Sequence, residues 1–442
     1  MNRWNAFLLL LFLIPLPSGA LSNWAWSLAS ALTFLLLALE FKSLSDTKVR
    51  RQLPQLPLPD AYRRSLLPIC ILWGIQAWAL VQWLLFSLNP FDSLLSLPKG
   101  LMYAGVFTLT LLMVNTTERL KQIIWVVILA ASFQACYGSL MTLTGLEYGF
   151  FQEKERYRNV ATGTYINRNH LAGLLELSVA LGVGMLLGQP SRYYGSFRQR
   201  LRQLISVMLS SKIILRLLLA VMVIALVLTR SRMGNTAFFA SLMIAGALAL
   251  LLMRNKTTAT TVLLTSLLVI DIAIVGTFFG VDKVAERIQE TSVEGESRDE
   301  VTRDTFAMFM EYPITGVGAG NFTYVFPAFK GEDILTRQIY NNAHNDYAQF
   351  AAEFGAPATL ALGVLVVWAF WNGVTAMRQR NSPLHQGVGF AVVMSIIAYA
   401  IHSTVDFNLQ IPANAFILTM ILALAGVARF GPYSPAKRHK GS

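Results

Sequence analysis

The residues best suited to chemistry lie in a polar segment, NNAHNDY at 341–347, that ends where a long apolar stretch begins. His344 therefore falls at the boundary between water and lipid, and an imidazole titrates near neutrality. A base at that boundary can meet both a soluble group and a group carried by a lipid. The alternative, a polar residue that only faces the interface, fits the residue type equally well.

The helix expected below His344 carries small residues at roughly helical spacing. They are Ala348, Ala351, Ala352, Gly355 and Ala358. Small residues let a neighbouring helix approach closely in a membrane. The pattern therefore predicts a rigid, tightly packed helix under the histidine.

The composition is that of a membrane protein. The 442 residues are 55% hydrophobic and 14% charged, with a mean hydropathy of +0.51, whereas soluble proteins carry about 25% charged residues. The net charge of +12 does not indicate nucleic acid, because the basic residues cluster in short loops between apolar runs. Cys70 and Cys136 lie in apolar runs and are expected to be core residues.

Apolar runs near the length that crosses about 30 Å of hydrocarbon recur along the whole chain. We predict one all-α, polytopic domain over 1–442 with about twelve spans. The first run follows Arg3 and is either a short span or a signal peptide; a span is favoured because no clear cleavage site follows. The predicted spans are about 7–14, 24–41, 67–85, 100–114, 123–143, 171–187, 213–228, 236–253, 260–280, 347–371, 388–402 and 413–428.

The distribution of Lys and Arg orients the chain with both termini in the cytoplasm. Four polar segments then share the outer face: 147–169, 229–235, 281–343 and 403–411. The longest, 281–343, is expected to be a large outer loop between spans nine and ten. A helix is expected from Ser297 to Tyr312, stopped by Pro313.

A glycine-rich stretch, GVGAGN at 316–321, follows that helix. Taken alone it resembles a loop that cradles phosphate, but no strand precedes it and no Lys-Ser/Thr follows. A tight turn packing on the membrane surface is the favoured interpretation.

Several motifs together resemble the superfamily of O-antigen ligases and O-antigen polymerases. The first set is Arg298, the loop GVGAGNF at 316–322, and His344-Asn345 followed by Gly355. TRSRMG at 229–234 is similar to the family's Ser-Arg-Gly element, with Met233 intervening before Gly234. TYINRNH at 164–170 and HSTVDF at 402–407 resemble segments of members that act on exopolysaccharides. The resemblance covers residues 160–415, approximately.

This resemblance implies a GT-C-like glycosyltransferase in the bacterial inner (cytoplasmic) membrane, active on the periplasmic face. A glycan waits on polyprenyl (undecaprenyl) pyrophosphate, an acceptor hydroxyl attacks its anomeric carbon, and the lipid pyrophosphate leaves. The implied partners are that donor, an acceptor glycan or glycolipid, and the bilayer, with no cofactor and no nucleic acid. No Asp-x-Asp metal motif occurs in the outer segments, so we predict metal-independent catalysis with inversion.

The site residues follow from these parts. His344 is the expected base. Arg298, Arg232 and Arg168, on three outer segments, are expected to bind pyrophosphate through the guanidinium fork, although outer arginines also bind lipid headgroups. Supporting roles are expected for Asn345, Asn167, Asn169, His402 and Asp406. His402 and Asp406 fit a site-supporting pair and a structural cap equally well.

Two ionisable residues, Glu176 and Asp271, lie within apolar runs, where such groups are costly and often functional. We favour protonation or a bond to a neighbouring helix for each.

The overall prediction is an O-antigen ligase-type enzyme with lipid A–core as acceptor. Alternatives are an O-antigen or exopolysaccharide polymerase, whose acceptor is a second lipid-linked repeat, and a protein O-oligosaccharyltransferase. A transporter or flippase of lipid-linked sugars is disfavoured, because transporters place polar groups at the membrane midplane, whereas these cluster outside the spans.

Overall fold

The computed structural model describes residues 2–52, 55–150, 152–188, 211–253, 261, 265–266, 293–334 and 339–432. These ranges are mostly α-helical. The helices are α1 (Arg3–Leu13), α2 (Asn23–Arg51), α3 (Asp60–Arg63), α4 (Leu66–Leu85), α5 (Pro90–Met113), α6 (Thr117–Thr144), α7 (Arg168–Leu187), α8 (Ser211–Leu228), α9 (Arg232–Leu252), α10 (Val293–Glu311), α11 (Phe322–Val325), α12 (Asp346–Gln379), α13 (Pro383–His402) and α14 (Pro412–Phe430). A small antiparallel ribbon pairs β1 (Tyr148–Gly149) with β2 (Gln152–Glu153).

The membrane class is confirmed. In the part of the chain that is described, nine helices are long and apolar enough to cross a bilayer: α2, α4, α5, α6, α7, α9, α12, α13 and α14. The predicted seventh span is α8, an 18-residue helix. The predicted ninth, 260–280, lies almost wholly outside the described residues, so twelve spans remain a prediction.

Helix α1 belongs to the bundle but is only 11 residues long, about 16 Å by its helical rise. It buries Phe7 and Leu11 completely. Its first residue, Arg3, donates to the carbonyl of Leu39, about 24 Å along α2 from that helix's start. The turn that follows α1 reaches the other end of α2, where Gly19 packs against Tyr165. The short helix and the turn after it therefore extend together along most of α2, from Leu39 to the start of that helix.

Helices α7, α13 and α14 form the centre of the bundle. In the apolar window of each helix, 94%, 83% and 83% of residues are buried, against 33% for α2 and 28% for α12. Gly184 of α7 and Gly387 of α13 lie against each other, so that a Cβ on either would overlap the other's carbonyl oxygen. Gly373 of α12 meets Gly389 of α13 in the same way. Bare backbone at these crossings lets the central helices pack closely.

Two expectations about packing are wrong. The small residues below His344 do not form one continuous packed helix: Ala352 shares a hydrophobic cluster with Val301 and Met308 of α10, but the run is interrupted at Gly355. At Gly355 the backbone of α12 is non-helical (φ 76°, ψ 167°). The glycine-rich stretch 316–321, which we call the glycine loop, packs against this break. Cys70 and Cys136 are exposed rather than buried, because apolar side chains on the outside of a membrane bundle face lipid.

The outer loop is folded where it is described. Helix α10 ends at Glu311, two residues before Pro313, close to the predicted stop. Its Val301 and Met308 pack with Phe322 and Phe326 in a small hydrophobic cluster separate from the main core. That cluster reaches Ala352 of α12, and it therefore holds the loop on the membrane helix that follows it.

The break in α12 makes a testable demand for glycine. Gly355→Ala should destabilise the protein, because a side chain would overlap the Ile314 carbonyl and this backbone region costs about 1–3 kcal/mol for other residues. Thermal unfolding in one detergent should show a clearly lower midpoint. Gly363→Ala is the matched control, since it lies in α12 with open space around it. Equal midpoints for the two variants would contradict the assignment of a strained break.

Candidate functional site

The candidate site lies where the start of α7, the end of α13 and the 403–411 turn meet. Asp406, in the turn, is 1% exposed. Asn169 donates a hydrogen bond to its carboxylate. The Nε2 atoms of His170 and His402 lie 3.9 and 4.0 Å from its two oxygens. One buried carboxylate therefore gathers polar groups from two central helices.

Glu176 joins this arrangement through His402. Its Oε1 lies 2.8 Å from Nδ1 of His402, and neither side chain is exposed. Glu176 is thus bonded to a neighbouring helix, the interpretation favoured from the sequence. We call Glu176, His402, Asp406, His170 and Asn169 the polar cluster. Asp271 lies outside the described residues.

The electrostatic state of Asp406 follows from its neighbours. Burial by itself raises the pKa of this carboxyl, but the opposing charges of His170, His402 and Arg298 and the backbone N–H of Phe407 lower it below its ordinary value. Asp406 is therefore an anion at neutral pH and a fixed negative charge at the site.

His344 lies beside the polar cluster. Its backbone is left-handed (φ 53°), a conformation in which histidine is enriched among non-glycine residues. Its ring meets the ring of Phe407 edge-on, with 4.9 Å between the ring centroids, and the ring of His170 meets Phe407 edge-on at 4.8 Å. Phe407 thus contacts both imidazoles.

The surroundings of His344 disfavour its charged form. Burial, and then the positive charge of Arg298, lower the pKa of His344 to about 4, while Asp406 acts in the opposite direction. The Nδ1 atom is buried and has no hydrogen-bond partner. His344 is therefore a neutral imidazole at physiological pH, able to accept a proton.

Arg298 reaches the same turn from the outer loop. Its Nη1 donates to the carbonyl of Val405 at 3.4 Å, one residue before Asp406. The guanidinium lies within electrostatic reach of both His344 and Asp406. A base, a cation and a buried anion from distant parts of the chain therefore converge here.

The start of α12 is fastened to the 403–411 turn. Asn345 caps the helix by accepting from Ala348 N–H, and its amide donates to the Thr404 carbonyl at 3.0 Å. Asp346 accepts from the Ser403 hydroxyl at 2.9 Å and from the Leu409 N–H at 3.1 Å. These bonds place His344 at a set position over the turn.

The glycine loop positions α12 and does not offer a phosphate cradle. The N–H of Gly318 donates to the Glu353 carbonyl at 3.1 Å. The N–H groups of Gly320 and Phe322 donate to the Glu353 carboxylate at 3.1 and 3.2 Å. With these amides occupied inside the protein, the loop is the tight packing turn that the sequence favoured.

The two other predicted arginines occupy different positions. Arg168 is the first residue of α7, capped by Asn167, which accepts from Asn169 N–H. Its guanidinium lies 5.9 Å from the ring of Tyr157, and its Nε is buried without a partner. Arg232 is exposed at the start of α9. No contact among the described residues joins Arg232 to the polar cluster.

Sequence reasoning did not include four residues that the structure brings to this site. His170 and Phe407 lie inside motifs already singled out, so their motif membership was an available signal. Asp346 follows the expected histidine and cap directly. Ser403 also lies in the 402–407 motif, but no local pattern indicates its bond to Asp346, which is far from it in the chain.

The described residues contain no group of three or more His, Cys, Asp or Glu side chains arranged to hold a metal ion. The chemistry available from the side chains is proton acceptance by a neutral imidazole, anion binding by guanidinium groups, and stabilisation of positive charge by a buried carboxylate.

Comparison with known proteins identifies part of the chain. A family model described as O-antigen ligase (Wzy_C) matches residues 217–363, about a third of the sequence. The matched segment contains Arg232, Arg298 and His344, whereas the polar cluster lies outside it. No curated protein matches the chain. The match confirms the resemblance carried by the motifs: residues 217–363 of this multi-pass membrane protein are similar to the O-antigen ligase family.

Proposed function

We propose that this membrane enzyme transfers a glycan from undecaprenyl pyrophosphate to an acceptor hydroxyl on the periplasmic face. The observation that carries the proposal is the convergence of His344 and Arg298 on the 403–407 segment, next to a buried anion. The family match supports an O-antigen ligase- or polymerase-type enzyme. The orientation with both termini in the cytoplasm, as predicted from the basic loops, places these residues outside the inner membrane.

In the proposed reaction the acceptor oxygen attacks the anomeric carbon of the donor. Its proton passes to His344 as the new C–O bond forms. The bond between the anomeric carbon and the pyrophosphate oxygen breaks, and the electron pair leaves with lipid pyrophosphate. A single displacement of this kind inverts the anomeric configuration.

The surrounding charges suit this step. Arg298 is placed to stabilise charge developing on the leaving pyrophosphate, which preorganised donors do effectively in a site shielded from water. Arg168 and Arg232 are further candidates for the same anion. Asp406 favours the imidazolium that His344 becomes, because it opposes the effect of Arg298 on that ring. We infer that no metal ion takes part.

The ligase-type reaction with lipid A–core is our first assignment. A polymerase would use a second lipid-linked repeat, and a protein O-oligosaccharyltransferase would use protein hydroxyls. The decisive experiment incubates the purified protein with lipid-linked glycan and each acceptor in turn, in the presence of a chelator. Product with lipid A–core alone supports the ligase, and product with a second lipid-linked repeat alone supports the polymerase.

His344→Ala should abolish transfer while the protein still inserts and folds. General-base catalysis contributes roughly 10²–10⁴-fold, so activity should fall by at least that range's lower end. His385→Gln is the matched control, because His385 lies at the opposite end of α13 and bonds to Ser382. Transfer at normal rate by the His344 variant in membranes would remove this residue from the mechanism.

Arg298→Lys should impair transfer by roughly tenfold or more, because an ammonium keeps the charge but cannot offer two parallel bonds to phosphate oxygens. Arg303→Lys serves as control on the same helix, where Arg303 pairs with Asp333 at 2.7 Å. Initial rates should be measured over a range of donor concentrations. Full activity of Arg298→Lys would show that the pyrophosphate is bound elsewhere.

The lowered pKa of His344 sets the pH dependence. In the enzyme without substrate, the imidazole of His344 has a pKa of about 4. The value of kcat/KM should therefore stay level down to about pH 5 and fall only as the pH approaches 4. Asp406→Asn removes a charge that raises this pKa, so it should move the acid limb to still lower pH. An acid limb near the ordinary histidine value of about 6.5 would contradict this environment for the base.

A further inference from the structure

An apolar groove of about 910 Å³ runs between α1 and α2, on the surface of the bundle. Its walls are leucines of the two helices that the protein leaves exposed. They are Leu9, Leu13, Leu28, Leu32, Leu35 and Leu39. The small residues Ala25 and Ala29 form part of its floor.

A polar pocket of about 470 Å³ adjoins one end of this groove. Arg3 and Leu39 line both spaces, so the pocket lies directly against this end of the groove. The other residues of the pocket are Lys42, Ser43, Asp46, Thr47 and Arg50. We call the two spaces together the hairpin site.

The charges in the pocket favour an anion. Arg3 already binds the Leu39 carbonyl, the Ser43 hydroxyl and Glu40, and so ties α1 to α2. Lys42 and Arg50, both exposed, form no ion pair with any residue of the described ranges. Asp46 is the single acid lining the pocket, against three cations. Two cations are thus available to a ligand at the end of an apolar groove.

The dimensions of the groove suit a lipid chain. From Leu39 to Trp24 it follows α2 for about 22 Å at 1.5 Å per residue, and both residues line it. One leaflet of hydrocarbon is about 15 Å thick. The groove is therefore longer than one leaflet is thick. A fatty-acyl chain whose headgroup sits in the pocket can lie in the groove through the whole depth of that leaflet.

We propose that the hairpin site binds one anionic phospholipid. Lys42 and Arg50 hold its phosphodiester, with Arg3 at the junction, and an acyl chain occupies the groove between α1 and α2. Basic pockets between membrane helices recognise such headgroups through charge and position. The lipid fills the space beside a helix too short to cross the bilayer by itself.

This ligand is distinct from the glycan donor. The pocket adjoins Arg3 and the basic end of α2, whereas the turn after α1 packs at the opposite end, where Gly19 meets Tyr165 just before α7. The polar cluster lies at the start of α7, and therefore at the end of the bundle opposite the pocket. A pyrophosphate bound near His344 therefore cannot occupy the hairpin-site pocket.

Native mass spectrometry of the purified full-length protein tests the proposal, with phosphatidylglycerol and phosphatidylcholine of equal chain length as probes. We expect one tightly held phosphatidylglycerol and a clear preference over phosphatidylcholine. The double variant Lys42→Gln/Arg50→Gln should weaken phosphatidylglycerol binding by roughly 25-fold, about fivefold for each charge removed.

The double variant Lys48→Gln/Arg51→Gln is the matched control. It removes two charges from the same end of α2 at residues that do not line the pocket, and it should change binding less than about twofold. Leu28→Trp keeps every charge and fills the groove, so it should also weaken binding. Its folding is checked by an unchanged unfolding midpoint.

Three results would overturn the proposal. The first is equal binding of the two phospholipids. The second is equal loss in both double variants, which would show diffuse attraction to a basic surface. The third is displacement of phosphatidylglycerol by an equimolar polyprenyl phosphate, which would make the groove a site for the carrier.

Discussion

The burial of one carboxylate organises the end of this protein that carries the candidate site. Asp406 is shut away from water, and a buried charge is tolerated only when partners compensate it. Asn169 and His170 come from the start of α7, and His402 comes from the end of α13. Because all of them must face one group, the ends of the two central helices and the 403–411 turn have little freedom to move apart.

The position of His344 depends on a second device, the break in α12. The glycine loop enters the break at Gly355, and its N–H groups are bound by the backbone and carboxylate of Glu353. Asp346 and Asn345 then fasten the first turn of the helix to the 403–411 turn. The outer loop and the membrane helix are therefore one unit, which sets the height of the histidine above the bundle.

This arrangement explains how the family's shared segment depends on the rest of the chain. Residues 217–363 contain His344, the base that we propose, and Arg298 of the outer loop. The anion beside them, and the histidines that hold it, belong to helices outside that segment. The chemistry that we propose needs both, since Arg298 lowers the basicity of His344 while Asp406 restores part of it.

The sequence by itself determined the membrane class, most of the spans, the helix before Pro313 and the motifs of the family. Those features depend on local composition and periodicity, which can be read from short stretches of the sequence. It could also name His344, His402 and Asp406, which are polar residues at span ends, and Arg298, which lies in an outer segment and belongs to the recognised motifs. The close crossings Gly184–Gly387 and Gly373–Gly389, the use of Gly355 as a break, and the bond of Glu176 to His402 were decided by tertiary structure. Each joins residues far apart in the chain, and no local pattern records which distant backbone or side chain will lie against a given residue.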